Sequence, residues 1–382
     1  MEACRFPAAG PLRFPFDLVS EKWSIGRPSN LRFCSSASAE LRLFGNGDNQ
    51  GTQNRMFILG LGFVGEFVAQ DLVSQGWIVS GTCTNVSKKA RLEKLGFNVH
   101  LFDATEPKLE VINILNQHTH LLISIPPMKD TGDPMLQHAE LLRKKLNNQH
   151  LQWLCYLSTT SVYGDCGGAW VDENYEPNPQ SKLAKLRLAA EEGWLSLGHD
   201  VGVASHIFRL GGIYGPGRSA IDTIIKQGSL SDVQRGRSLK KYTARIHVSD
   251  ICNALNESIC KPNPGRIYNI VDDDPAPRTQ VFSFAHKLIN EKWGFEVKKT
   301  DENESFSLKL KGEKRVVNTR MKNELGVSNL RRPTITSDLS PHRPSLPSSP
   351  VASPVVASEQ QASLLDCSEQ KWEININGPM SN

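Results

Sequence analysis

Gly60, Gly62 and Gly65 close the stretch Met56-Phe57-Ile58-Leu59-Gly60-Leu61-Gly62-Phe63-Val64-Gly65. Glycines at this spacing, between an apolar run and a helical pattern, are suited to holding two linked phosphates. Gly60 permits the tight turn. Gly62 lets the main chain approach the phosphate oxygens, where a side chain would collide. Gly65 lets the following helix pack closely on the strand. That helix opens at Phe63 and Val64, where unpaired N–H groups and a partial positive charge favour an anion. Phe67, Val68, Leu72 and Val73 continue it at helical spacing. The expected ligand is a dinucleotide.

The residues after the second apolar run select the dinucleotide. An acidic residue about 20 positions beyond the glycines would hold the ribose hydroxyls and favour NAD. Thr84, Asn85, Ser87, Lys88, Lys89 and Arg91 stand there instead. Small polar groups and cations suit a 2′-phosphate, so NADP is expected in preference to NAD. The competing reading is that the lysines coat an exposed helix start. Asp103 ends the third run, where a carboxylate reaches an adenine amine or caps a turn.

The elements that must position these groups alternate. Strands are expected at 56–60, 77–83, 97–102, 120–125, 151–158 and 202–208. Helices are expected at 63–75, 87–95, 108–117, 133–149 and 180–197. Near-continuous apolar strands joined by helices imply an α/β fold with a doubly wound parallel sheet covered on both faces. Its ligands sit at the carboxyl ends of the strands. After Gly211 the order becomes irregular, with a helix near 248–259, a strand near 266–270 and a helix near 278–291. This part, mainly 211–332, is expected to form a small C-terminal substrate lobe.

The chain of 382 residues has a formal net charge of +4, which gives no general case for nucleic-acid binding. Basic clusters at Arg235 to Arg245 and Lys309 to Arg320 read as solvated surface. Eight cysteines are scattered, with no C-x-x-C pair and no zinc spacing, so no metal is expected and a reducing compartment fits. No apolar stretch approaches the ~20 residues that span a bilayer. Residues 1–52 carry arginines and the patch Cys34-Ser35-Ser36-Ala37-Ser38-Ala39, the composition of an organelle transit peptide. A chloroplast address is expected, ahead of a mitochondrial one or a plain disordered tail. Residues 333–382 are Pro/Ser-rich and cannot bury a face. The folded part is therefore expected to span 55–332.

Four later segments narrow the class. They are Tyr156-Leu157-Ser158-Thr159-Thr160-Ser161-Val162-Tyr163-Gly164, Phe208-Arg209-Leu210-Gly211-Gly212-Ile213-Tyr214-Gly215-Pro216-Gly217-Arg218, Arg245-Ile246-His247-Val248-Ser249-Asp250 and Gly265-Arg266-Ile267-Tyr268-Asn269-Ile270. In this order and spacing, with the glycine turn, they resemble the extended short-chain dehydrogenase/reductases, the NAD-dependent epimerase/dehydratase family with a Rossmann fold. The segment Leu122-Ile123-Ser124-Ile125-Pro126-Pro127, together with Lys314 to Arg320 and Leu325-Gly326, resembles an atypical branch of it, and Ser124 is a candidate cofactor contact there.

The resemblance implies a Ser/Thr, a Tyr and a Lys four residues after the Tyr. The Tyr is the general acid/base, the Lys lowers its pKa and binds the nicotinamide ribose, and the hydroxyl bonds the substrate oxygen. Thr159 matches the hydroxyl member, with Ser158 beside it. Aligning Ala189-Ala190-Glu191 with the family's helix puts Leu183 at the Tyr place and Arg187 at the Lys place. Leucine carries no proton. Arg187 can bind a ribose or phosphate but stays charged. Tyr175, in the nearby loop, and His247 are the remaining candidate proton carriers; the favoured reading of His247 is a helix-start residue bonded within the lobe. Arg209, Arg218 and Arg245 are candidate substrate contacts. The resemblance further implies a small-molecule substrate and a homodimer. Three functions follow: an epimerase/dehydratase-like oxidoreductase on a sugar-nucleotide-like or other carbonyl substrate with altered proton transfer, a non-catalytic NADP-binding regulatory or scaffold protein, or, ranked last and resting only on the basic clusters, an RNA-associated plastid member of the same superfamily.

Overall fold

Strands buried on both faces need apolar side chains at nearly every position, and β1 (Arg55–Leu59) meets this, with Phe57, Ile58 and Leu59 fully buried. The structure is a computed structural model that describes residues 53–104, 110–147, 150–225, 240–293 and 313–331. The expected transit segment, the Pro/Ser-rich tail and parts of both basic clusters lie outside the described residues. After β1 come α1 (Phe63–Ser74), β2 (Ile78–Cys83), α2 (Val86–Glu93), β3 (Asn98–Leu101), α3 (Glu110–Leu115), β4 (His120–Ile123) and α4 (Ala139–Leu146). Next are β5 (Trp153–Thr159), β6 (Ala169–Val171), α5 (Lys182–Asp200), β7 (Ala204–Leu210), β8 (Gly212–Tyr214) and α6 (Ala220–Ile225). Then follow β9 (Arg245–His247), α7 (Val248–Cys260), β10 (Arg266–Ile270), α8 (Arg278–Trp293) and β11 (Lys314–Val316).

Seven strands form one sheet in the order β10-β7-β5-β4-β1-β2-β3, every neighbouring pair parallel. The order reverses between β1 and β4, which opens the crevice where such sheets bind ligands. Each face has its own core. Val64, Val68 and Leu72 of α1 join Val248, Ile251 and Leu255 of α7 on one side. Val111 of α3, Leu142 of α4, and Ala190, Trp194 and Leu197 of α5 fill the other.

The sheet is larger than the apolar runs before Gly211 suggest. The strand expected in the lobe, Arg266–Ile270, pairs with β7 as the seventh strand. The helix expected near it, α7, packs against α1, and Asn256 Nδ2 donates to Asp71 Oδ2 at 2.7 Å. Outside the sheet lie two parallel pairs, β8 with β9 and β6 with β11, and a five-residue π-helical turn over Met321–Leu325. The expected helix 133–149 is shorter, because Asp133 takes the N–H groups of Met135 and Leu136 before α4 begins.

Helix α5 is fixed from below by charge. Arg209 of β7 donates to Glu191 Oε2 from Nη2 at 2.7 Å and from Nε at 3.1 Å, and both side chains are almost fully buried. Ser158 of β5 donates to the same carboxylate through Oε1.

Candidate functional site

The turn after β1 is held by its neighbour. Gly60, at φ +95°, donates its N–H to Thr82 Oγ1 at 2.8 Å, and Leu61 N–H donates to the Thr82 carbonyl at 2.7 Å. A Cβ on Gly60 would stand 2.8 Å from Ile125 Cγ2, and one on Gly65 would stand 2.4 Å from the Gly60 carbonyl oxygen. Gly62 differs: no atom lies within 4 Å of where its Cβ would be. Gly62 is also the N-cap of α1 and brings no side chain to the first-turn N–H groups. By contrast, Asn85, Ser181 and His247 cap α2, α5 and α7 with side-chain acceptors. The start of α1, with Phe63 and Val64, therefore offers N–H donors to open space in the crevice between β1 and β4. That is the shape and polarity that fit a dinucleotide's phosphates. Gly81 of β2 belongs to this arrangement: its Cβ would stand 2.7 Å from the Ile58 carbonyl oxygen and 2.8 Å from Leu61 Cγ. A glycine inside an apolar strand was the available signal for it.

The groups expected to select the cofactor have protein partners. Asn85 accepts the Lys88 N–H at 2.7 Å as the cap of α2. Lys88 and Arg91 both reach Glu66 of α1, at 3.0 and 2.8 Å, and Lys89 faces Glu93 at 3.6 Å. Thr84 is exposed at the end of β2, and Asp103 is exposed just past β3. Ser124 N–H donates to the Leu59 carbonyl at 2.8 Å, carrying the β1–β4 pairing one residue past the strand.

At the end of β5 the two hydroxyls part. Ser158, the candidate beside Thr159, is buried, and its hydroxyl is committed to Glu191. Thr159 is half-buried, and its Oγ1 accepts the Ser161 N–H at 3.2 Å. Its own hydroxyl hydrogen remains to be given. Leu183 lies in the first turn of α5, 43% exposed. Arg187, one turn on, is half-buried near the Tyr156 hydroxyl. Burial holds that hydroxyl well above the ordinary tyrosine range, against the pull of the Arg187 charge.

The lobe residues divide in the same way. Arg218, in the tight turn Gly215–Arg218, stacks on the Phe63 ring with Cζ 5.3 Å from the centroid. A guanidinium expected at the substrate thus stands at the opening turn of α1. Arg245 is occupied: it faces Asp272 at 3.3 Å and donates to the Asp274 carbonyl at 2.9 Å. Burial, opposed by Arg245, pushes Asp272 up to about 7. His247 caps α7 by accepting the Ser249 N–H at Nδ1, and its ring packs edge-on to Tyr214 at 5.3 Å. With Nδ1 spent on the cap, the helix-start reading describes it. Arg209 is in the core rather than in the lobe. Tyr175 is exposed and packs edge-on to Tyr163 at 6.5 Å. It borders a 290 Å³ cleft along the flank of α5, shared with Leu188, Glu192 and Leu195. Those residues lie one to three turns beyond Leu183, which stands at the Tyr place. Among the described residues, no group of three or more His, Cys, Asp or Glu could hold a metal ion, and no helix is long and apolar enough to cross a membrane.

The sheet order, the crevice and the uncapped glycine turn define a doubly wound dinucleotide-binding protein. Residues 56–271 match the model of the NAD dependent epimerase/dehydratase family, and the chain belongs to that family. It is similar to a solved, functionally unknown conserved protein from Silicibacter pomeroyi: 32% identical, TM-score 0.59, covering 74% of this chain and 95% of that one. Protein YeeZ of Escherichia coli is 29% identical over 223 residues, 56% of this chain and 77% of its own. The fold is shared with UDP-glucuronic acid 4-epimerase from Bacillus cereus, solved in complex with NAD: 19% identical, TM-score 0.55, covering 72% and 93% of the two chains.

Proposed function

We propose that this chain is an NAD(P)-dependent oxidoreductase of the epimerase/dehydratase type, acting on a sugar-nucleotide-like or other carbonyl substrate, with altered proton transfer. The observation that carries the reading is the uncapped start of α1 behind Gly62, open where the phosphates would lie. A bound nicotinamide supplies hydride transfer. Thr159 donates its hydroxyl to the substrate oxygen, Arg187 holds a ribose or phosphate oxygen, and Arg218 adds positive charge beside Phe63. NADP is preferred to NAD on two grounds. No Asp or Glu stands between the end of β2 and Leu92, and Lys88 with Arg91 outnumber the single Glu66 they share. The Arg- and Ser-rich residues 1–52 support chloroplast import, which a fluorescent fusion of that segment would test.

One observation favours a second reading, a non-catalytic NADP-binding regulator. An exposed leucine fills the place where the family's proton carrier stands. Fluorescence titration of the purified chain with NADPH and NADH, followed by a screen of carbonyl compounds beside the tighter one, separates the possibilities. Turnover that is lost in Thr159→Ala supports the enzyme. Turnover that appears only in the double variant Leu183→Tyr/Arg187→Lys supports a lapsed one. NADH binding as tightly as NADPH removes the NADP preference, and no affinity for either removes the whole reading.

A further inference from the structure

Trp170 is 55% exposed, an unusual position for the largest apolar side chain. Its place is fixed by a stack. Trp170 of β6 is registered against Arg315 of β11, whose Cζ lies 4.8 Å from the indole and 5.0 Å from the Tyr242 ring. Arg315 Nε also donates to the Gly168 carbonyl at 2.8 Å. The guanidinium, held between two rings, stiffens the indole and covers one side of it. The rest of the indole borders a cleft of 590 Å³, within the ~300–1,000 Å³ range of small-molecule sites.

Apart from Val317 the remaining walls of this cleft are polar: exposed Asp172 accepts the Asn174 N–H at 3.0 Å, and buried Glu173 accepts the Asn269 N–H at 2.8 Å. Arg320 donates to Asn174 Oδ1 at 2.7 Å and to the Ile267 carbonyl at 3.1 Å. Glu324 accepts from Arg266, Tyr268 and Asn263. What stays available beside the exposed Asp172 carboxylate is neutral: the exposed Thr319 hydroxyl, the exposed Asn323 amide and the NH₂ of Asn174. A stiff aromatic face beside uncommitted amides and a hydroxyl matches a ligand with an apolar C–H face and a rim of hydroxyl groups. Phosphate or carboxylate finds no unpaired cation there. The cleft adjoins the edge strand β10, four strands from the glycine turn on β1.

We propose that this cleft is a second, non-catalytic site for a neutral saccharide, independent of the dinucleotide crevice. The test titrates the full chain with glucose, galactose, maltose and cellobiose, following tryptophan emission and calorimetric heat. At least one sugar gives a saturable signal. Trp170→Ala abolishes it, Trp170→Phe retains part of it, and the double variant Thr319→Ala/Asn323→Ala weakens binding at least about tenfold. NADH affinity is unchanged in all three. The proposal is overturned if no sugar saturates below about 50 mM, well beyond even a weak ~1 mM site. It is equally overturned if Trp170→Ala binds sugar like the parent. A change in molecular mass by light scattering for Trp170→Ala would also overturn it, because a second copy of the chain would then be what covers the indole.

Discussion

A methyl group at Gly62 meets nothing in the protein, and the backbone there (φ −80°, ψ −158°) is open to any residue. Gly62→Ala should therefore keep the melting temperature while weakening nicotinamide-coenzyme binding at least about tenfold, or ~1.4 kcal/mol. A turn with no ligand would keep the melting temperature too, but coenzyme binding would not weaken. Gly65→Ala is the contrast: its Cβ would meet the Gly60 carbonyl oxygen, so stability should fall by roughly 1–3 kcal/mol as well. Thermal melts and fluorescence titrations of the two variants separate a phosphate cradle from a structural bend. All three glycines were legible from their spacing between an apolar run and a helical pattern. Gly81 and Thr82, which complete the same turn from β2, were not, because their role is a contact between strands that local pattern does not encode. The commitments of Ser158 and Arg245 were hidden for the same reason. Each is a polar side chain whose partner lies elsewhere in the chain.

Among the elements, α5 carries the clearest energetic claim. Arg209 and Glu191 are buried together, and Ser158 shares the carboxylate. Glu191→Gln leaves the guanidinium buried without its counter-charge, a loss of roughly 3–5 kcal/mol. Urea unfolding measures it; a change below about 1 kcal/mol would show that the pair does not fix α5. The same pair explains why Arg209 read as a lobe residue: a charged side chain in an apolar strand suggests a cleft until its partner on a distant helix is known. Strand and helix order up to Leu210 was readable except for the three-residue β6, because buried parallel strands are continuous apolar runs and β6 lies outside the main sheet. The membership of β10 in the sheet was not. Its five residues resemble any short strand, and only the pairing with β7 distinguishes sheet from lobe.

Over the whole molecule, proton binding divides into opposing groups. Burial lowers His118, His120 and His206 from 6.5 to about 4. Each is neutral when folded and charged in the unfolded chain, so each removes stability as pH falls from 6.5 towards 4, by up to about 1.4 kcal/mol per pH unit. NMR titration should find these three rings unprotonated at pH 5.5. Asp272 acts with the opposite sign. Its carboxyl is raised from 3.8 to about 7 because burial outweighs the attraction of Arg245. The folded state then holds a proton that the unfolded state has lost, so stability falls as pH rises from 3.8 through 7 and is flat beyond. Above pH 6.5 the histidines no longer contribute to the slope, and Asp272 still does. Asp272→Asn removes that titration while keeping the shape. The melting temperature of the variant minus that of the parent should accordingly increase between pH 6 and pH 8. If the difference instead stayed flat over that interval, the carboxylate would already be ionised in the folded state, and the link between β9 and the end of β10 would rest on charge attraction rather than on a protonated acid.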